Sequence, residues 1–409
     1  MYDPDRVWEF TMTDEVRFGA GAVEELSSVL STHGITSVLI VTDSGVQDAG
    51  IVDHLICTLD GIAYDVFDGV EPDPSHRVFT QAIEVAEEVQ PDAIIGVGGG
   101  SAIDIAKTAT VLADATGDIL DYVAPPTGAG RPVPETEIHT IAIPTTAGTG
   151  SETSPVSVVS LPEEKLKVGI SSRHQSPDLA IIDPTLTVSL PPEPTASAGM
   201  DALAHAIEAY TTRRFDTKPS PDNPQHRPDY GGRTVLTDTL AERSIELIAS
   251  NLPTAYNVGT DLDARRNMSL ASHLAGIAFT NAGLGATHAM AYPVAGEHDT
   301  RHGTTVAVLL PAVMRFNASA TSTRYAEIAE LFGENLSQES RRDAAESAAR
   351  AVETLARDIG IPSSLAELGV TEAEIPILAE RTERIQRLLV GNPRQVTKGD
   401  IAEIYADAI

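Results

Sequence analysis

Ala93-Ile94-Ile95-Gly96-Val97-Gly98-Gly99-Gly100-Ser101 decides how the first half of the chain is read. Residues 93–97 are a short apolar run of the kind buried on both faces of a parallel sheet. The glycines follow without a break, and Asp104, Ile105, Lys107 and Thr108 behind them open a helix. A glycine turn at a helix N-terminus lets backbone N–H groups approach a pyrophosphate, and the helix dipole favours the anion there. The plainer alternative is a strand-to-helix turn with no ligand. The run also comes later in the chain than the common Gly-x-Gly-x-x-Gly fingerprint, which follows a first strand.

More strands lie on either side: Ser37–Asp43, residues 62–67, His139–Pro144 and residues 179–183. Residues 78–90 carry Val78, Ala82, Ile83, Val85, Ala86 and Val89 at helical spacing. Strands alternating with helices predict an α/β domain with a mostly parallel sheet over residues 1–190. Two further features suit a nucleotide. The loop 144–152 offers Thr145, Thr146, Thr149 and small neighbours to a ribose and phosphates, although alone it could be a plain turn. Asp43 ends a strand, where an acid can accept from ribose hydroxyls and repel a 2′-phosphate; a lone Asp there would equally cap a helix.

Pro184, Pro191, Pro192 and Pro194 end the alternation, so a domain boundary is placed near Pro191. Residues 191–409 read as all-helical: 195–211, 234–251, 261–280 and several helices from Ser322 onward, the last opened by Thr397-Lys398-Gly399-Asp400. The first contains Gly199-Met200-Asp201-Ala202-Leu203-Ala204-His205-Ala206-Ile207-Glu208. Asp201 and His205 are four apart, hence one turn apart on one face. A carboxylate and an imidazole so placed can grip one divalent cation. His288 and His302 lie downstream in glycine-rich surroundings, and one Asp with three His would make four protein ligands. An isolated Asp-x-x-x-His is more often a solvated helical pair. A polar insertion, residues 214–233, carries Pro219, Pro221, Pro224 and Pro228 and is too long for a simple helix connection, so it is either functional or a plain surface loop.

Composition removes whole classes of partner. The 409 residues hold 59 acids against 28 bases, a net charge of −31. Nucleic acid and anionic membrane surfaces both need a basic face. Only five of the bases are lysines, 107, 165, 167, 218 and 398, and an acidic, lysine-poor surface suits a halophilic protein that must stay dissolved in high salt, the plainer alternative being an ordinary acidic cytosolic protein. Cys57 is the sole cysteine, which leaves no intrachain disulfide and no thiolate cluster. Met1-Tyr2-Asp3-Pro4-Asp5-Arg6 has neither a basic n-region nor an apolar run, and no stretch approaches the roughly 18 apolar residues of a membrane span. The expectation is a cytoplasmic protein acting on a small molecule.

Together these elements resemble the iron-containing alcohol dehydrogenase family, related in fold to dehydroquinate synthase and glycerol dehydrogenase. The resemblance runs from Val16-Arg17-Phe18-Gly19-Ala20-Gly21 to Asn392-Pro393-Arg394. It implies an α/β NAD-binding domain over residues 1–190 and an all-helical, metal-binding and catalytic domain over 191–409. It implies Asp201, His205, His288 and His302 as ligands of Fe²⁺, sometimes replaced by Zn²⁺. It implies an NAD site lined by Asp43, Gly98, Gly99, Gly100, Ser101, Asp104, Thr145, Thr146, Thr149 and Lys167, hydride transfer between an alcohol carbon and nicotinamide, and a homodimer or larger homo-oligomer.

Within the family the chain looks most like the hydroxyacid–oxoacid transhydrogenases. It shares with them Leu120-Asp121-Tyr122-Val123, the segment Leu166-Lys167-Val168-Gly169-Ile170-Ser171-Ser172-Arg173 and an insertion of the form Asn223-Pro224-x-x-Arg227-Pro228-x-Tyr230. Tyr292 stands where most of the wider family has a His assigned to proton transfer. That subgroup's substrates are hydroxy acids such as 4-hydroxybutyrate, with 2-oxoglutarate as the acceptor. Their carboxylates call for a cation, with Arg227 the first candidate and Arg213 and Arg214 the alternatives. His273 is expected to be structural, and His298 lies off the family's ligand spacing. A general alcohol dehydrogenase using free NAD, a carbon–oxygen lyase of the dehydroquinate synthase type and a non-catalytic NAD-binding regulator are the alternatives. The lyase would want more bases, and the regulator has no use for a metal position left open to substrate.

Overall fold

In the run Ser37–Asp43, Val38 and Ile40 point one way and Leu39 and Val41 the other, and all four are buried. A strand apolar on both sides has to be sandwiched between helix layers. The computed structural model, which describes residues 6–125, 127–164, 166–219, 221, 223, 227–228 and 230–409, builds that sandwich. Parallel strands β1 (Glu15–Phe18), β2 (Ser37–Asp43), β3 (Ala63–Val70), β4 (Ala93–Gly98) and β5 (His139–Pro144) are joined by β8 (Leu179–Ile182) in the order β3-β2-β4-β5-β8-β1. Between β5 and β8 the chain makes an antiparallel pair, β6 (Val156–Leu161) and β7 (Leu166–Ser171). Helices α1 (Leu26–Thr32), α2 (Ser44–Asp48), α3 (Ile51–Thr58), α4 (His76–Val89) and α5 (Gly100–Leu112) complete this unit. Val38, Ile40, Ile95 and Val97 pack with Leu26, Leu30 and Leu55 of α1 and α3; Leu39, Val41 and Ile94 pack with Phe79 and Ala82 of α4 and Ala102 and Ile105 of α5.

The second unit holds only helices and short turns among its described elements: α6 (Pro192–Thr211), α7 (Val235–Asn257), α8 (Leu262–Ala282), α9 (Ala286–His298), α10 (His302–Leu331), α11 (Arg341–Asp358), α12 (Ile375–Glu383), α13 (Gln386–Leu389) and α14 (Lys398–Ala408). Thr397 and Asp400 cap α14 reciprocally. Contacts divide the chain into Met12–Leu190 and Pro191–Ile409, the latter together with the residues up to Thr11. The α/β unit therefore starts after Thr11, whose N–H donates to Asn281 Oδ1 at 2.7 Å while Asn281 Nδ2 donates back to Thr11 O at 2.8 Å.

His288 and His302, read from sequence as lying in glycine-rich surroundings, both sit on helices, the latter as the first residue of α10. Pro293 and Pro311 lie inside those helices. The insertion is pinned at its base by a bridge between Arg214 and Arg233, and Gly231 N–H donates to Asn281 O at 2.9 Å. Pro224 of its motif, like Lys165, lies outside the described residues. Among those described, no helix is long and apolar enough to cross a membrane.

Candidate functional site

α6 is an alanine-rich helix buried on nearly every side from Met200 to Thr211. Such a helix carries polar residues only where they have partners, because an unpaired buried charge is costly. Asp201, His205 and Glu208 fall on one stripe of it, at spacings of four and three. Asp201 Oδ1 lies 3.5 Å from His288 Nε2, 3.7 Å from His302 Nε2 and 4.0 Å from His205 Nε2. Four donors at 2.0–2.2 Å from one ion sit about 3.4 Å apart in a tetrahedron. Asp201 Oδ1 and His288 Nε2 are buried and neither has a hydrogen-bond partner. Orphaned donors aimed at one point fit a cation.

Asp201, His288 and His302 form the group whose ligand atoms all lie within 4.8 Å of one another. His205 stands beside it, its ring stacked 4.5 Å from that of His288 and 4.4 Å from that of Phe279. The close approach of α10 to α6 depends on Gly303: a Cβ there would come 2.1 Å from Ser197 O. Tyr292, one turn after His288 on α9, puts its ring 5.5 Å from that of His302. Burial works against ionising Asp201, but His205, His288 and His302 outweigh it and hold its carboxyl well below the usual range. Burial works against a charged His288 too, yet Glu208 and Asp201 outweigh it and push the imidazole up to about 9.

The α/β unit gathers its expected residues where β2, β4 and β5 end, the edge at which open parallel sheets take their ligands. Gly99 is the N-cap of α5. Gly98 has φ +153°, and a Cβ there would meet Ala102 Cβ at 2.9 Å and Asp43 Oδ2 at 3.3 Å. A side chain on Gly100 would press on Thr149 at 3.0 Å, and one on Gly99 would touch Thr146 at 3.7 Å. Thr145 N–H donates to Gly98 O at 2.9 Å, tying the second loop to the first. Asp43, Gly98–Ser101 and the threonine loop thus form one open rim.

Two members of the expected cofactor list have partners within the protein. Asp104 accepts from Ser151 Oγ and, at 2.9 Å, from Val158 N–H, and pairs with the fully buried Lys107 at 2.8 Å. Its carboxylate is committed to the protein and supports the rim from beneath. Lys167 is ion-paired with Asp73 at 2.6 Å. Two of the three arginines expected to meet a substrate carboxylate have carboxylates already: Arg227 has Glu9 at 3.5 Å and Arg214 has Asp216. Arg213 and Arg214 follow the end of α6 at Thr211. His298 pairs with Glu374 at 3.0 Å, and His273 is buried on α8. The residue that sequence reasoning passed over is Glu208, whose Oε2 lies 2.6 Å from His288 Nδ1. An acid on the buried stripe of Asp201 and His205 was the signal that could have found it.

Known proteins align with the whole arrangement. Residues 13–184 match the model of iron-containing alcohol dehydrogenases, and residues 232–409 match the C-terminal model of the Fe-containing alcohol dehydrogenase family. The chain is 38% identical over 407 residues to 1,3-propanediol dehydrogenase of Klebsiella pneumoniae, covering 98% of this chain and 99% of that one. It is 34% identical over 418 residues to the mitochondrial hydroxyacid-oxoacid transhydrogenase of Homo sapiens, covering 98% and 89%. A crystal structure of 1,3-propanediol oxidoreductase superposes with a TM-score of 0.89 at 37% identity over 99% of this chain and 100% of that one. That of an alcohol dehydrogenase from Oenococcus oeni gives 0.88 at 34% over 98% and 100%. The cytoplasmic expectation does not stand: similar transhydrogenases from Xenopus laevis, Bos taurus and Homo sapiens are named as mitochondrial, which points away from the cytoplasm. Charge and hydropathy report on solubility, not on cellular address. With both family models matched and their fold and donor group in place, the chain belongs to the iron-containing alcohol dehydrogenase family, as an NAD-dependent oxidoreductase acting on CH–OH groups.

Proposed function

We propose that the enzyme is a hydroxyacid–oxoacid transhydrogenase: 4-hydroxybutyrate reduces NAD held in the site, and 2-oxoglutarate reoxidises it. What carries this reading is similarity to transhydrogenases over nearly the full chain, 34–35% identity across 95–98% of its length. Asp201, His288 and His302, with His205 as a fourth donor, are the residues that would hold a divalent metal, Fe²⁺ or Zn²⁺. When bound, such an ion supplies Lewis-acid polarisation of an alcohol or carbonyl oxygen, and NAD supplies hydride exchange. The chain's own residues do the rest. Asp43, Gly98, Gly99, Gly100, Ser101, Thr145, Thr146 and Thr149 hold the dinucleotide, with the Asp43 carboxylate disfavouring a 2′-phosphate. Tyr292 carries the hydroxyl proton on the side facing His302. Arg227 leaves its half-exposed pair with Glu9, a weak contact, for the substrate carboxylate.

A second reading has its own support. Identity to 1,3-propanediol dehydrogenase is 38%, and Arg227 already has an acidic partner, so a dehydrogenase of neutral alcohols using free NAD is the rival. The test supplies 4-hydroxybutyrate and 2-oxoglutarate without free NAD. Equal amounts of succinic semialdehyde and 2-hydroxyglutarate are expected. Arg227→Ala should lower kcat/KM for the acids by about 10- to 100-fold, the loss of a charge-assisted hydrogen bond, and spare neutral alcohols. Turnover of 1,3-propanediol that needs stoichiometric free NAD, with Arg227→Ala silent, would establish the rival.

A further inference from the structure

Glu208 has three polar partners within hydrogen-bond distance. Its Oε2 accepts from Gly285 N–H at 3.0 Å and faces His288 Nδ1 at 2.6 Å, while Oε1 accepts from Thr287 N–H at 2.7 Å. The side chain is buried, and Gly285 is crowded against it: a Cβ there would lie 3.0 Å from both Glu208 Oε1 and Asn392 Oδ1. Asn392 accepts from Ala286 N–H at 3.3 Å and exchanges amide hydrogen bonds with Asn317 at 3.0 and 2.7 Å. The first amides of α9 are thus held by two buried side chains, but only Glu208 also reaches the imidazole. A carboxylate already accepting two backbone N–H groups is an acceptor toward the ring as well, so His288 Nδ1 carries the proton.

We propose that Glu208 is a positioning residue that fixes His288 as the Nδ1–H tautomer, leaving the Nε2 lone pair aimed at Asp201 and His302. The proposal rests on the metal-centre reading above. A histidine donor whose other nitrogen is held by a carboxylate is fixed in both rotation and tautomer.

Glu208→Gln is the discriminating variant, because an amide has one acceptor atom where the carboxylate has two. If its oxygen replaces Oε2, its NH₂ opposes Thr287 N–H. If its oxygen replaces Oε1, its NH₂ opposes Gly285 N–H and drives His288 to the Nε2–H tautomer. Asn392→Ala is the control, since it loosens the same turn without touching the ring. Metal-free protein titrated with Co²⁺ should bind about 10- to 100-fold more weakly in Glu208→Gln, and within a few-fold of wild type in Asn392→Ala. Equal losses in the two variants, or no loss in Glu208→Gln, would overturn the proposal. Wild-type protein labelled with ¹⁵N-histidine and observed metal-free at pH 10 should show His288 protonated on Nδ1. Protonation on Nε2 would overturn the proposal even if the variant fails to fold. Wild-type protein that takes no Co²⁺ but shows the Nδ1–H tautomer would remove the metal reading and leave Glu208 as the residue that orients the ring.

Discussion

The two oxygens of Asp43 have different surroundings. Oδ1 accepts from Val46 N–H at 3.0 Å and caps α2, while Oδ2 faces Gly98 at the open rim. Cap and cofactor contact were alternatives in the sequence; the cap is formed by Oδ1, which leaves Oδ2 for the proposed ribose contact. Asp43→Asn keeps the capping oxygen and removes the charge, so it should narrow the preference for NAD over NADP about tenfold with little change in melting temperature. Asp43→Ala should also cost about 1 kcal/mol of stability as the cap is lost. Comparing kcat/KM for both cofactors checks this, and a wild type that prefers NADP would refute it. His288 gives a pH dependence. As a metal donor it must be neutral, so metal uptake displaces its proton and apparent affinity should climb about tenfold per pH unit until about pH 9, then level off. For metal-free protein the sign runs the other way. The folded-state pKa lies above that of the unfolded chain, so this stabilisation is complete below about pH 6.5 and disappears as pH rises through about 9. Urea unfolding with and without metal at several pH values measures both. Donor types and spacing were legible because they are chemical. The stacking of His205 and the pairing of Arg227 were not, since each depends on residues distant in sequence, Phe279 and Glu9.

α5 shows what an element adds to a motif. Lys107 reads in sequence as a residue of the helix that follows the glycine run. In the fold it points inward, donating to the carbonyls of Ser151, Ser154 and Val156 at 3.2, 3.1 and 2.6 Å and pairing with Asp104. It fastens the helix that opens at the glycine turn to the segment that follows the threonine loop, and so holds the two halves of the rim in register. Removing one partner of a buried pair leaves the other charge uncompensated, which costs about 3–5 kcal/mol. Lys107→Met should destabilise the protein by that amount and weaken NAD binding, read by urea unfolding and by cofactor fluorescence. A loss below about 1 kcal/mol would show that Asp104 is satisfied without it. Strands β2, β4 and β5 were legible because runs apolar on both faces have few other uses. β1, four residues and half exposed, has no such pattern, and β6 and β7 are held by pairing with each other. α9 and α10 were hidden by Gly285, Pro293 and Pro311, residues that mark breaks when read alone. Here they permit close approach, as at Gly285, or are absorbed inside helices buried by tertiary packing.

Charge acts at the scale of the whole chain. A net charge of −31 with only 28 basic residues leaves most acids without a cation to face. Many ion pairs that do form are exposed, such as Arg315 with Glu346 and Glu353, and exposed pairs contribute little each. In dilute buffer the compact state therefore carries a self-repulsion that the expanded chain relieves. Potassium chloride at 1 M shortens the Debye length to about 3 Å, less than the spacing of most surface charges, against about 10 Å at 0.1 M. The melting temperature should rise steadily from dilute buffer to molar KCl. The buried contacts of Asp104 with Lys107 and Glu208 with His288 are shielded from mobile ions and should contribute almost nothing to that slope. Repeating the salt series on Lys107→Met tests the separation: the curve should shift down by a constant amount and stay parallel to wild type. A flat or falling wild-type curve would mean that the acids are balanced in the fold, and the halophilic reading of the composition would fail. A rise complete by a few millimolar salt would point instead to a specific ion site, since screening follows the square root of ionic strength and is far from finished there.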